Sequence, residues 1–143
     1  MRKRIVLRIV ATLILPFILL YGLYVQSHGD ITPGGGFQAG VIFAVAFILY
    51  ALIFGLASVQ RVLPFDTLRV LTCVGILFYG MVGVAPVLMG GMFLDHAKLL
   101  TDPVAGQRLG IMLVEVGIGL TVFSTMLIFY YLLAERQSTQ FPT

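Results

Sequence analysis

Glu115 is the one acid set well inside a long apolar run of this 143-residue sequence, which makes it the first candidate for chemistry. It lies about two helical turns, roughly 9 Å, along the axis from Leu109. A carboxylate at that depth costs a few kcal/mol unless it is protonated, paired or wetted. Helical projection puts Arg108, Ile111, Gly119, Val122 and Met126 on its face, approximately opposite Gly110 and Gly117, so the helix should be buried on two sides. Arg108 is seven residues away and leans toward the helix N-terminus, away from Glu115, so the partner of the acid is expected elsewhere. The chemical reading is a proton or cation relay group, and the bland one is a hydrogen-bond anchor. No apolar run holds a second acid or a lysine, so a relay through Glu115 needs partner chains to supply the rest of the path.

The densest local signal is Ser27 to Gly40, which contains Thr32-Pro33-Gly34-Gly35-Gly36-Phe37-Gln38-Ala39-Gly40. Pro33 fixes its φ, and the three glycines permit backbone conformations and close approaches barred to other residues. The spacing and lysine of a phosphate-binding loop are missing, so nucleotide binding is not supported. His28, Asp30, Asp95, His96 and Asp102 fall on the same side as this loop. They form either a cation-attracting rim or, more simply, solvated loop positions. The two histidines lie on separate loops without ligand spacing, so no metal site is expected. A single cysteine, Cys73, removes any intrachain disulfide, CxxC pair or cysteine-built cluster. No catalytic triad or cofactor motif is present, and no cofactor is expected.

The elements that must position these residues follow from composition. The chain is 59% hydrophobic and 10% charged, with a mean hydropathy of +1.05, too few polar side chains to cover a water-soluble globule. Soluble enzymes and nucleic-acid binders are excluded, and the net charge of +3 reads instead as a topology signal. Four apolar runs, 5–25, 37–59, 68–92 and 109–133, each supply the roughly 20 helical residues that a 30 Å hydrocarbon core requires. The expected fold is an all-α integral membrane protein, one transmembrane domain over 1–143 with four helices. Arg2, Lys3, Arg4, Arg8, Arg61, Arg69 and Arg136 fall on one side of that topology, and Lys98 and Arg108 on the other. Both termini are therefore expected in the cytoplasm. Tyr21 and Tyr24, and Tyr130 and Tyr131, sit where interfacial aromatics belong. A signal peptide at the start is the lesser alternative, since the apolar stretch is long and no small-x-small cleavage site follows it.

Helices in lipid associate through close backbone approach at small residues. Gly36, Gly40, Ala44, Ala51 and Gly55 recur on the second run, Gly75, Gly83 and Gly90 on the third, and Gly106, Gly110, Gly117, Thr121 and Thr125 on the fourth. Seams on three helices suffice for internal packing and also favour docking onto other membrane subunits. Pro16 and Pro86 should kink their helices, with Pro86, Gly90 and Gly91 marking either a shape adjustment or a loosened helix end. Cys73 reads as a small packed thiol.

The Pro-Gly-Gly-Gly-Phe-Gln run, in a four-span chain of this length, resembles the MnhB/MrpB family, small subunits of the Mrp-type (Mnh-type) multisubunit sodium/proton antiporters. The likeness spans essentially the whole chain, with Ala39 standing where a glycine is usual. The resemblance implies an accessory subunit of a bacterial cytoplasmic-membrane complex of about seven kinds of subunit. Sodium and protons would be the transported ions, the larger subunits would hold the main proton channels, and this chain would have no turnover of its own. Within the motif it singles out Pro33, Gly34, Gly35, Gly36, Phe37 and Gln38, and Phe37 and Gln38 join Glu115 as candidates for an ion or proton path. Two alternatives remain: the homologous subunit of a membrane-bound hydrogenase-like redox complex, and a purely structural spacer. In a Cys73-free background, an impermeant thiol reagent should label cysteines placed at either terminus only from the cytoplasmic face, and one at Gly34 only from outside. Termini on opposite faces would reject the four-span topology.

Overall fold

The structure, a computed structural model, describes residues 2–29, 31 and 33–140. Asp30 and Thr32 of the glycine-rich loop lie outside the described residues, as do the side chains of Arg2, Lys3 and Arg4. The described chain is helical, in the order α1 (Arg2–Ser27), α2 (Gly36–Phe54), α3 (Leu56–Val62), α4 (Phe65–Leu88) and α5 (Pro103–Gln140), with a short 3-10 turn at His96–Lys98 before α5. Four of these, α1, α2, α4 and α5, are long and apolar enough to cross a membrane. They stand as a layer in the order α1, α2, α5, α4, so α5 is the shared wall between α2 and α4. Only 11% to 28% of each span is buried within the chain, so most of the apolar surface is left to lipid or other subunits.

Two of the boundaries that differ from the apolar runs bear on the fold. The second run breaks at Gly55, whose φ of 95° ends α2 and begins the separate helix α3. Gly55 meets nothing within 4 Å, so it is a break rather than the seam position expected of it. The last helix begins at Pro103, six residues before the apolar run. Asp102 accepts a hydrogen bond from the Val104 amide at 3.2 Å and so caps a polar first turn that hydropathy alone does not register.

The small-residue seams meet backbone. A Cβ on Gly75 would overlap Thr121 and come within 3.0 Å of the Gly117 carbonyl oxygen. Beside that approach the Thr72 hydroxyl donates to Ser124 at 2.8 Å, with Ser124 fully buried. On the other side of α5, a Cβ on Gly40 would lie 2.6 Å from the Gly119 carbonyl oxygen. Every buried residue of α2 is glycine or alanine. Such contact replaces the solvent-driven association unavailable in lipid.

Gly83 and Gly90 serve other ends. The ring of Phe93 lies over Gly83, and the Leu94 amide donates to the Gly83 carbonyl at 3.2 Å, so the α4–α5 loop folds back onto its helix. Leu94 takes a φ of 65° to do so. Gly90, at φ 79°, and Gly91 return amides to Val87 and Pro86, forming a Schellman cap that closes α4. Cys73 is exposed on α4 rather than packed.

Opposite the glycine loop, the layer is tied by a few polar and aromatic contacts. Arg8 lies 5.8 Å over the ring of Phe54, and Gln60 donates to Glu135 at 3.0 Å. Tyr131 departs from its expected interfacial role. It is fully buried, and its hydroxyl donates to the Leu63 carbonyl at 3.0 Å, tying α5 to the α3–α4 corner among Ala51, Val59, Leu68 and Leu127. A buried phenol needs such a partner, which is why the ring points inward.

Gly75→Val should weaken the α4–α5 contact by about 1–3 kcal/mol, the usual cost of overpacking. Gly80→Val is the matched control, because nothing lies within 4 Å of a Cβ there. The thermal aggregation temperature of the detergent-solubilised protein should drop for the first variant and not for the second.

Candidate functional site

Glu115 and the glycine loop, 80 residues apart, meet in space. The Glu115 carboxylate lies where a Cβ on Gly29 would stand, and its Oε1 is 2.9 Å from the corresponding position on Gly35. The main-chain carbonyl of Glu115 likewise occupies the side-chain space of Gly36. Three glycines therefore form a cradle around one acid, each because any larger residue would displace part of it. Gly35 adopts φ 124°, a conformation in which an L side chain is strained in its own right.

The cradle sits at the start of α2. Gly36 is the first helical residue, and Gly35 has no side chain with which to cap it. The leading amides of a helix have no intrahelical acceptors, and the helix dipole places partial positive charge there. A carboxylate at such an end is favoured by about 0.3–2 kcal/mol, which offsets part of the cost of bringing Glu115 out of water. Glu115 also holds an interaction within the chain.

A cleft of about 390 Å³ leads to the acid, lined by Gln26, Ser27, Arg108 and Glu115 with Leu100, Ala105, Leu109 and Met112. Arg108 and Gly29 share a second, neighbouring cleft beneath the loop. Arg108 and Glu115 thus line one cavity, although seven residues of helix put them about 10 Å apart along the axis. Gln26, the second-last residue of α1, is a site residue that sequence reasoning missed. It falls just past the 5–25 apolar run, whereas α1 continues through Ser27 and carries the amide inward. Its Oε1 reaches 2.8 Å from the Cβ position of Gly119, and its Nε2 is buried with no partner among the described residues. The polar pair Gln26-Ser27 at the end of an apolar run was the available signal.

Other sequence candidates separate from this cluster. Phe37 is 56% exposed, and Gln38 is exposed on the surface of α2. Pro33 is exposed and Gly34 half-buried at the tip of the loop. His28 stacks on Tyr24 with ring centroids 4.3 Å apart, its Nδ1 lying 3.0 Å from the Tyr24 carbonyl. His96 corrects the picture of solvated loop histidines. It is 3% exposed, and its ring fills the space beside Gly110 while its carbonyl approaches Gly106, so these two glycines receive the α4–α5 loop rather than a helix. No group of three or more metal-ligating side chains occurs among the described residues.

Gly36→Ala should separate α2 from α5, because the Cβ meets backbone that cannot rotate away, and should destabilise the fold by about 1–3 kcal/mol. Gly34→Ala, outside the cradle, should be nearly neutral. Thermal denaturation of the two purified variants in one detergent compares them directly, and equal midpoints would refute the cradle.

Comparisons with known proteins identify the family. A family model described as "Domain related to MnhB subunit of Na+/H+ antiporter" matches residues 6–128, which include the glycine loop, α2, α4 and Glu115. A protein of Staphylococcus aureus strain MRSA252 named "Putative antiporter subunit mnhB2" is 36% identical over 132 residues, covering 85% of this chain and 93% of the relative. Its namesake in strain Newman is 35% identical over the same length. The match takes in the packed helices and the cradle alike, and the chain belongs to the MnhB family of multi-pass membrane proteins.

Proposed function

We propose that the chain is an accessory subunit of a multisubunit sodium/proton antiporter, and that Glu115 contributes a carboxylate to an ion path completed by partner subunits. Family membership supports the first part, and the names of the relatives carry antiport. The large unburied apolar surface of all four spans fits a chain that works beside other membrane subunits. A transporter subunit of this kind binds and passes ions without covalent chemistry.

The observation that supports a path role is that Glu115 lines a cleft together with Ser27 and Arg108. A cavity of about 390 Å³ has room for several water molecules, each of which takes about 30 Å³ in the liquid. A wetted carboxylate beside a helix N-terminus can exchange a proton with that water. Arg108, nearer the mouth of the cleft, sets the potential through which a cation approaches. The single acid holds one proton or pairs with one cation at a time, so onward transfer requires a group from a neighbouring subunit. Phe37 and Gln38, exposed on α2, belong in this reading to the surface that meets such a neighbour.

Glu115→Gln retains the shape of the side chain and removes its charge. In everted vesicles it should lower sodium-dependent proton exchange at least about tenfold, the equivalent of roughly 1.4 kcal/mol on the barrier. The subunits should still co-purify. Normal exchange with an assembled complex would limit Glu115 to anchoring the loop, and loss of assembly would make it a structural residue.

A further inference from the structure

Below the Glu115 cleft, a groove of about 540 Å³ runs between α1, α2 and α5, and its walls include Leu23, Phe43, Phe47, Val116 and Phe123. Gln26 is the one polar side chain on it among the described residues, and it lines both the groove and the cleft above. Mostly apolar sites of about 300–1,000 Å³ with a few placed polar groups are the usual form of a binding site for a small amphiphile. The Gln26 Nε2 is buried with no partner among the described residues, a state that native structures seldom leave without a ligand or water to accept the bond.

The chemistry is ordered by depth. Arg108 stands near the mouth with Ser27 below it, then the amide donor of Gln26, then a wall of aromatic and aliphatic side chains. From Arg108 to Phe123, fifteen residues of α5 rise about 22 Å. That is about half of a 40–45 Å bilayer with its headgroups, the depth of one leaflet. Arg108 is already engaged within the chain, and a guanidinium has five donors, enough to hold a phosphate as well. Glu115 lines the same cleft but lies about 10 Å further along the helix, which separates it from a phosphate at Arg108. A transmembrane helix, about 10 Å across, would need several times this volume over the same length.

We propose that the groove holds one phospholipid from the leaflet on the side of the glycine loop. Its phosphate sits at Arg108, an ester carbonyl accepts from the Gln26 Nε2, and one acyl chain lies along Phe43, Phe47 and Phe123. The headgroup end of this site shares the Glu115 cleft, while the acyl end lies in the separate groove and is tested without measuring antiport.

The test uses the assembled complex in native membranes supplied with a phospholipid bearing a diazirine near the end of an acyl chain. Photolabelling should concentrate on the peptides holding Phe43 to Phe47 and Leu120 to Phe123, in excess of the openly exposed α4 face at Ile76 and Leu77. Gln26→Leu should reduce the groove labelling about fivefold, the worth of one neutral hydrogen bond, and Leu120→Trp should remove it by filling the space. Groove labelling no greater than that of α4, or unchanged in both variants, overturns the proposal. So does a cross-link from a cysteine at Val116 to a helix of another subunit. Should the variants fail to assemble, the contrast between groove and α4 in the unaltered complex still decides.

Discussion

The fold depends on how closely α5 can approach the backbones on either side of it. Lipid is as apolar as leucine, so burying leucine against leucine gains little, and association falls to van der Waals contact and a few hydrogen bonds. Such contact is strong only when main chains come near, and main chains come near only where side chains are missing. The Gly75–Gly117 approach on one face and the Gly36–Glu115 and Gly40–Gly119 approaches on the other meet that condition. The large exposed side chains of α1 and α4 contribute solubility in lipid rather than cohesion.

Against this spare background, each enclosed polar side chain has a definite structural consequence. The Thr72–Ser124 bond holds α4 to α5, and the Tyr131 hydroxyl ties α5 to the corner at Leu63. Glu115 joins the glycine loop, α2 and α5 at a single point. Gln26 and His96 each leave a buried nitrogen without a partner among the described residues, and both belong to the half of the molecule that carries the glycine loop. The opposite half is tied by the Tyr131 hydroxyl and by the exposed Gln60–Glu135 hydrogen bond. Polar residues therefore divide the layer into a stapled end and an end with unfilled hydrogen-bonding capacity.

The four spans were legible in the sequence because hydrocarbon imposes a length and a composition that nothing else in a short chain imitates. The two-sided burial of α5 was legible as well, since a helical projection separates Gly117 and Thr121 from Gly119 and Val122. Glu115 and the triple glycine each stood out, but their contact did not. Nothing in a linear string says that residues 35 and 115 share one space, because that depends on how two parallel helices, α2 and α5, are offset. The same limit hid Gln26, whose position on α1 is unremarkable until α5 is set beside it. Gly55, Gly90 and His96 were misread for a different reason. A glycine in an apolar run signals close packing and chain reversal equally well, and a histidine in a loop is taken as wet unless a glycine elsewhere is seen to receive it.

The shared wall has a mechanical corollary. Because α5 is keyed into α2 through Glu115 and into α4 through Gly75, with only a turn or two of helix between the two keys, it cannot slide like a piston past either neighbour without lifting out of both. Those three helices form a rigid slab. The first helix is fastened chiefly to α2 and reaches α5 near Gln26, so it stands outside that slab and forms one bank of the groove.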